Sequence, residues 1–161
     1  MKKPTVCILI FLFVLLVSGC SGATAPEKVD THIDTHFTAS YRGLELQGVL
    51  IFSEDLQMCL EISTPDELSG LSFSWGDDFT IGYRGLNAVT ETDYLPHTAF
   101  AQAIKNTMDD IAIADISLQK DENGLYFYKG KTDSGCYVVY TDNQGKIKEI
   151  SLPPLELNMK L

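Results

Sequence analysis

From Thr31 onward the chain alternates apolar and polar positions with a period of two, the mark of strands with one dry face and one wet face. Ile33, Thr35, Phe37, Ala39 and Tyr41 alternate with His32, Asp34, His36, Thr38 and Ser40. Leu44 to Phe52 and Leu56 to Ile62 follow, parted by the polar turn Ser53-Glu54-Asp55. Leu71, Phe73 and Trp75, then Phe79, Ile81 and Tyr83, each bury one side around the turn Gly76-Asp77-Asp78, and a further short strand is expected near Leu86 to Thr92. After Pro96 the period changes. Phe100, Ala103, Ile104, Thr107, Met108 and Ile111 recur at three- and four-residue spacing, which predicts one amphipathic helix over about His97 to Ala114. Strand patterns return at Ile116 to Lys120, Leu125 to Lys131, Cys136 to Thr141, Lys146 to Leu152 and Leu155 to Leu161. Turn residues punctuate them at Asn123-Gly124, Asp133-Ser134-Gly135 and Asn143-Gln144-Gly145. The expected class is α+β: an antiparallel sheet with one main helix packed against it.

The beginning of the chain has a different grammar. Met1-Lys2-Lys3 is a positive stub, Val6 to Val17 is apolar throughout, and Ser18-Gly19-Cys20 follows. The apolar run falls short of the roughly 20 residues a bilayer-spanning helix takes, so the segment reads as a secretory signal peptide. Val17-Ser18-Gly19-Cys20 resembles the lipobox of bacterial lipoproteins, in which cleavage leaves the cysteine as the first, lipidated residue. The expected organisation is a signal peptide over 1–19, a lipid-anchored Cys20 with a flexible tether to residue 30, and one domain over 31–161. Ser21 to Asp30 is small and polar and contains Pro26, as suits a tether. Two acyl chains on one cysteine give stable attachment where one gives only marginal binding. An extracytoplasmic position on the bacterial cell membrane follows.

Charge narrows the partners. The chain has 12 basic and 22 acidic residues, a net charge of −10, and removing the leader takes two lysines but no carboxylate. Nucleic acid is therefore excluded as a partner, since phosphate binding needs a basic footprint. Of the four cysteines, Cys7 falls in the leader and Cys20 carries the anchor. Cys59 and Cys136 form either a disulfide, permitted outside the cell, or two free thiols.

Catalytic chemistry has little to stand on. His97 is the only histidine outside the first strand, and the chain has no Gly-x-Ser-x-Gly elbow, Cys-His signature or phosphate-cradling glycine loop. Asp77-Asp78 and Asp109-Asp110 are carboxylate pairs at a turn and near a helix end, where solvation explains them. The protein is expected not to be an enzyme and to need no cofactor. His32, Asp34 and His36 share one side of a strand and form a weak candidate metal site, against a plain reading as the strand's wet face.

A single helix covers only part of a large sheet, so some apolar surface is expected to remain. Phe73, Trp75, Phe79, Ile81, Tyr83, Phe100, Ile104 and Met108 are either core or the lining of an apolar ligand site between sheet and helix. The run Ser63-Thr64-Pro65-Asp66-Glu67-Leu68-Ser69-Gly70-Leu71-Ser72-Phe73-Ser74-Trp75, followed by Phe79-Thr80-Ile81-Gly82-Tyr83-Arg84-Gly85-Leu86, resembles small lipoproteins of clostridia-type bacteria. More distantly, the strand–helix–strand layout resembles the LolA/LppX-like half-barrel superfamily. That resemblance implies a strongly curved antiparallel sheet with a helix on its concave face and a hydrophobic interior that takes lipid or acyl chains. The expected function is a membrane-anchored lipoprotein that binds an apolar ligand. The alternative is an envelope interaction or sensory module whose core is filled by its own side chains.

Overall fold

The structure, a computed structural model, describes residues 26, 28–53, 55–122 and 124–161, with the side chain of residue 93 left aside. The leader and the lipidation site at Cys20 lie outside the described residues. Eleven strands form one antiparallel sheet: β1 (Ile33–Tyr41), β2 (Leu44–Phe52), β3 (Met58–Thr64), β4 (Leu71–Trp75), β5 (Phe79–Tyr83), β6 (Leu86–Thr90), β7 (Gln119–Lys120), β8 (Tyr126–Thr132), β9 (Gly135–Thr141), β10 (Ile147–Leu152) and β11 (Leu157–Lys160). Helix α1 (Phe100–Ile113) lies between β6 and β7 in the chain, and single 3-10 turns occupy Thr92–Tyr94 and Pro153–Leu155.

The spatial order is β6-β5-β4-β3-β2-β1-β11-β10-β9-β8-β7, so two meanders are stitched together where β1 pairs with β11. The sheet is open, with β6 and β7 as its edges. Short hairpins explain the meander. Arg42-Gly43 and Arg84-Gly85 both adopt positive φ at consecutive positions, which matches a two-residue turn to the twist of the strands it joins.

Alternation decides which residues go inside. Phe37 and Ala39 of β1, Leu50 and Phe52 of β2, Met58 and Leu60 of β3, and Val139, Ile150, Leu157 and Met159 from the other meander are all buried in one cluster. Every residue of the expected helical stripe is buried too, and the helix joins the same cluster. The Phe100 ring stands 5.9 Å from Phe37 and 5.7 Å from Tyr41. The opposite sheet face carries Ser40, Glu45, Glu149, Asn158 and Lys160, as a wet face should.

One expectation needs correction, and one alternative left open by the sequence is decided. The tether does not run to residue 30: Val29 is buried, and Asp30 bridges to Lys146 while its N–H donates to the Gly145 carbonyl at 2.9 Å. One apolar side chain in a polar stretch is enough to dock the segment when a groove receives it. A disulfide between Cys59 and Cys136 is also absent. Both are free thiols, Cys59 on β3 and Cys136 on β9, with four strands between them. With neighbouring strands about 4.8 Å apart, the five steps from β3 to β9 along the sheet far exceed the roughly 7 Å between Cα atoms that a disulfide allows. Smaller differences concern ends: β3 starts at Met58 because Leu56 takes a left-handed conformation in the turn, and Leu155 belongs to a 3-10 turn ahead of β11.

Candidate functional site

The eight candidate lining residues fall into two groups. Phe100, Ile104 and Met108 of α1 are buried, and Ile104 and Met108 have 0% of their surface exposed. Any internal void that admits a water-sized sphere would leave them some accessible area. Zero therefore means close packing, and the space beneath the middle of the helix is filled by the protein's own side chains.

The sheet residues behave differently. Cross-strand register places Ile62, Leu71, Tyr83 and Leu86 in one row, and Leu60, Phe73, Ile81 and Ala88 in the next. Along the first row burial falls steadily: Ile62 is buried, Leu71 half-buried, Tyr83 38% exposed and Leu86 76% exposed. The second row runs the same way, from Leu60 through half-buried Phe73 and Ile81 to exposed Ala88. The inner side of β4–β6 thus carries apolar residues beyond the reach of full cover. Tyr83 is fixed at its margin, donating its hydroxyl to the Glu67 carbonyl at 3.0 Å with the Arg84 guanidinium over its ring.

The third row holds Met58, Trp75, Phe79 and Thr90. Trp75 packs on Phe79 with centroids 4.8 Å apart and on Phe73 at 6.2 Å. Its indole Nε1–H is buried and has no hydrogen-bond partner, a state that costs about 1–3 kcal/mol of lost solvation. Trp75 and Phe79 line a surface groove of about 420 Å³ whose other walls include Asp77, Asp78, Thr90 and Glu91.

Polar side chains fasten the helix on its other flank. Tyr137 donates its hydroxyl to Asp110, Ser134 donates to the His97 carbonyl at 2.7 Å, and Asn106 donates to Ser134 at 2.9 Å. Lys105 pairs with Asp109 one turn on. These residues do not gather at an open groove, and structure is their sufficient role. Burial, and then the hydrogen bond to Asp110, hold the Tyr137 hydroxyl protonated well above the usual tyrosine range.

His32, Asp34 and His36 do not come together as ligands. His32 precedes β1, its N–H donating to Asp30 at 3.0 Å, while Asp34 and His36 are exposed on the outer face. Their cross-strand neighbours are Ile51 and Val49, which offer no donor atoms to a metal. Among the described residues no group of three or more histidine, cysteine, aspartate or glutamate side chains could hold a metal ion.

Leu71, Leu86 and the unpaired Trp75 N–H extend the candidate set beyond the residues named from the sequence. Leu71 lies in the same alternation as Phe73 and Trp75, so its place was legible. The chain matches no family model, no curated protein and no solved structure.

Proposed function

We propose that this chain is an extracytoplasmic lipoprotein, held to the bacterial cell membrane through Cys20, that binds an apolar ligand such as a lipid or acyl chain. In this reading the sheet curves into a half-barrel, α1 crosses its concave face, and the ligand lies along the inner side of β4–β6 instead of beneath the helix. The observation that carries the reading is the row Leu71–Tyr83–Leu86, apolar on its inner side yet progressively uncovered. Single exposed apolar residues are ordinary, but a contiguous set on one side of a sheet marks a place where something binds. No catalytic step is assigned.

Trp75 is the one tryptophan of the chain, so its fluorescence reports this region alone. The test is native mass spectrometry and fluorescence titration of the Cys20→Ser chain with lysophospholipid and monoacylglycerol. Bound adducts and a shifted Trp75 emission are expected. Bare protein with an unmoved emission would overturn the ligand reading. It would favour a module with a filled core that meets another envelope protein, which the zero exposure of Ile104 and Met108 also supports.

A further inference from the structure

The apolar strip on the inner side of β4–β6 has unlike ends. Residues that share a side are two positions apart, so successive rows lie about 7 Å apart, and about 14 Å separates the Trp75–Phe79 row from the Leu71–Tyr83–Leu86 row. Beyond Tyr83 comes Arg84, its guanidinium over the Tyr83 ring and bonded to the carbonyls of Asp66 and Ser69. Beyond Trp75 and Phe79 come Asp77 and Asp78 in the β4–β5 turn and Glu91 just after β6. These three carboxylates wall the groove of about 420 Å³ that Trp75 and Phe79 also line.

Charge decides what that groove accepts. Asp77, Asp78 and Glu91 are exposed, and among the described residues their side chains have no hydrogen-bond or ion-pair partner. No lysine, arginine or histidine stands among the described walls. Unpaired carboxylates on one groove repel an anionic head, such as that of a free fatty acid, and attract a cationic one. Trp75 adds a second requirement. It is 7% exposed, and its Nε1–H lacks an acceptor, so a head with an oxygen acceptor beside its positive charge answers both walls.

Resting on the reading that β4–β6 takes an apolar ligand, we propose that the ligand is an amphiphile with a cationic head. The head lies among Asp77, Asp78 and Glu91, and the tail runs along the strip toward Leu71, Tyr83 and Leu86. Arg84 disfavours the reverse orientation, because it would set cation beside cation.

The test compares three probes with one acyl chain and different heads: lauroylcholine, a permanent cation with an ester oxygen; monolauroylglycerol, uncharged; and laurate, an anion. Titration of the Cys20→Ser chain, followed by Trp75 emission, gives each affinity. Exposed ion pairs are each worth a factor of up to about five, so lauroylcholine should bind about ten-fold more tightly than monolauroylglycerol, with laurate weakest. The combined Asp77→Asn, Asp78→Asn and Glu91→Gln variant should bring the two esters level. A variant that removes as many charges from the outer sheet face, Asp34→Asn with Glu45→Gln and Glu61→Gln, should keep the preference. Should the groove variant misfold, about 1 M sodium chloride on the Cys20→Ser chain does the same work, because it screens the carboxylates and leaves the shared tail unchanged. Equal affinities, a preference for laurate, a preference that survives both the groove variant and salt, or one lost equally in the outer-face variant would each overturn the cationic head and leave an apolar ligand on β4–β6 standing. Binding of none of the three probes would overturn both.

Discussion

The Tyr137 hydroxyl donates to Asp110 Oδ2 at 2.5 Å, tying the middle strand of the second meander to the last full turn of α1. Tyr137 is 1% exposed, so the phenol is inside the molecule and its partner carboxylate is only partly wet. Gly130, opposite Tyr137 on β8, makes the approach possible: a Cβ there would stand 2.3 Å from the ring. Tyr137→Phe should therefore lower unfolding free energy by about 1.5–3 kcal/mol, the worth of a hydrogen bond to a charged group. Urea denaturation measures it, and a loss below a few tenths of a kcal/mol would show that the bond contributes nothing net.

The same bond has an alkaline signature. The Tyr137 hydroxyl is held protonated above the range of a tyrosine in the unfolded chain, so its contribution is complete below about pH 10. As pH rises past that point the unfolded chain ionises first and stability drains away. The wild-type chain should lose stability more steeply than Tyr137→Phe between neutral and strongly alkaline pH. Equal slopes in paired urea titrations would refute this.

Much of the sheet was legible because its strands obey a strict alternation: most strand segments anticipated from Thr31 onward are present, the segment expected over Ile116 to Lys120 shrinks to the two residues Gln119–Lys120, and the helical stripe from Phe100 to Ile111 is buried as spaced. What escaped depends on partners distant in sequence. Val29 is one apolar residue among polar ones, yet it is buried where the neighbouring Asp30 docks on the β9–β10 turn. Gln102 and Lys105 lie on what the helical wheel marks as a polar flank, yet both are buried. The candidate site divides for the same reason. Phe100, Ile104 and Met108 have the same composition as a ligand lining, and whether they enclose space is a property of packing that periodicity does not encode. Leu86 and Tyr83 carry the opposite lesson, since alternation places them inside but not how far cover extends.

Asp142 predicts an acid-sensitive clasp. Burial alone would raise its carboxyl, but the N–H groups of Gln144 at 2.9 Å and Lys146 at 3.0 Å, with the Lys148 ammonium nearby, outweigh it and hold the group below the usual carboxylate range. A depressed folded value means stability present above the unfolded value of about 3.9 and lost as pH falls through the folded one. This turn is the one whose Gly145 carbonyl accepts from Asp30. Asp142→Ala should lower the melting temperature at neutral pH, with the difference shrinking toward zero in acid. A difference that persists unchanged below about pH 3 would contradict the assignment.

Gly48 predicts a steric limit. A Cβ there would stand 1.9 Å from the Glu61 carbonyl oxygen and 2.8 Å from the Phe37 ring, and the register shifts at this point between β2 and β3. Neither a backbone oxygen nor a buried ring yields easily. Gly48→Ala should cost about 1–3 kcal/mol, the usual range for overpacking. Unchanged stability would mean that the β2–β3 shift relaxes without strain.

The helix and the uncovered row should respond to substitution in opposite ways. Ile104 has no exposed surface, so Ile104→Ala leaves a cavity and should cost about 2–5 kcal/mol. Leu86 is mostly in solvent, and Leu86→Ser should leave the melting temperature nearly unchanged. Binding of a fluorescent acyl probe should respond in the opposite way, weakened by Leu86→Ser and untouched by Ile104→Ala at temperatures where both variants are folded. A probe that instead binds more tightly to the Ile104→Ala chain has entered the space under the helix, because a vacated apolar cavity is what an acyl chain fills. That outcome would move the ligand from β4–β6 to the middle of α1.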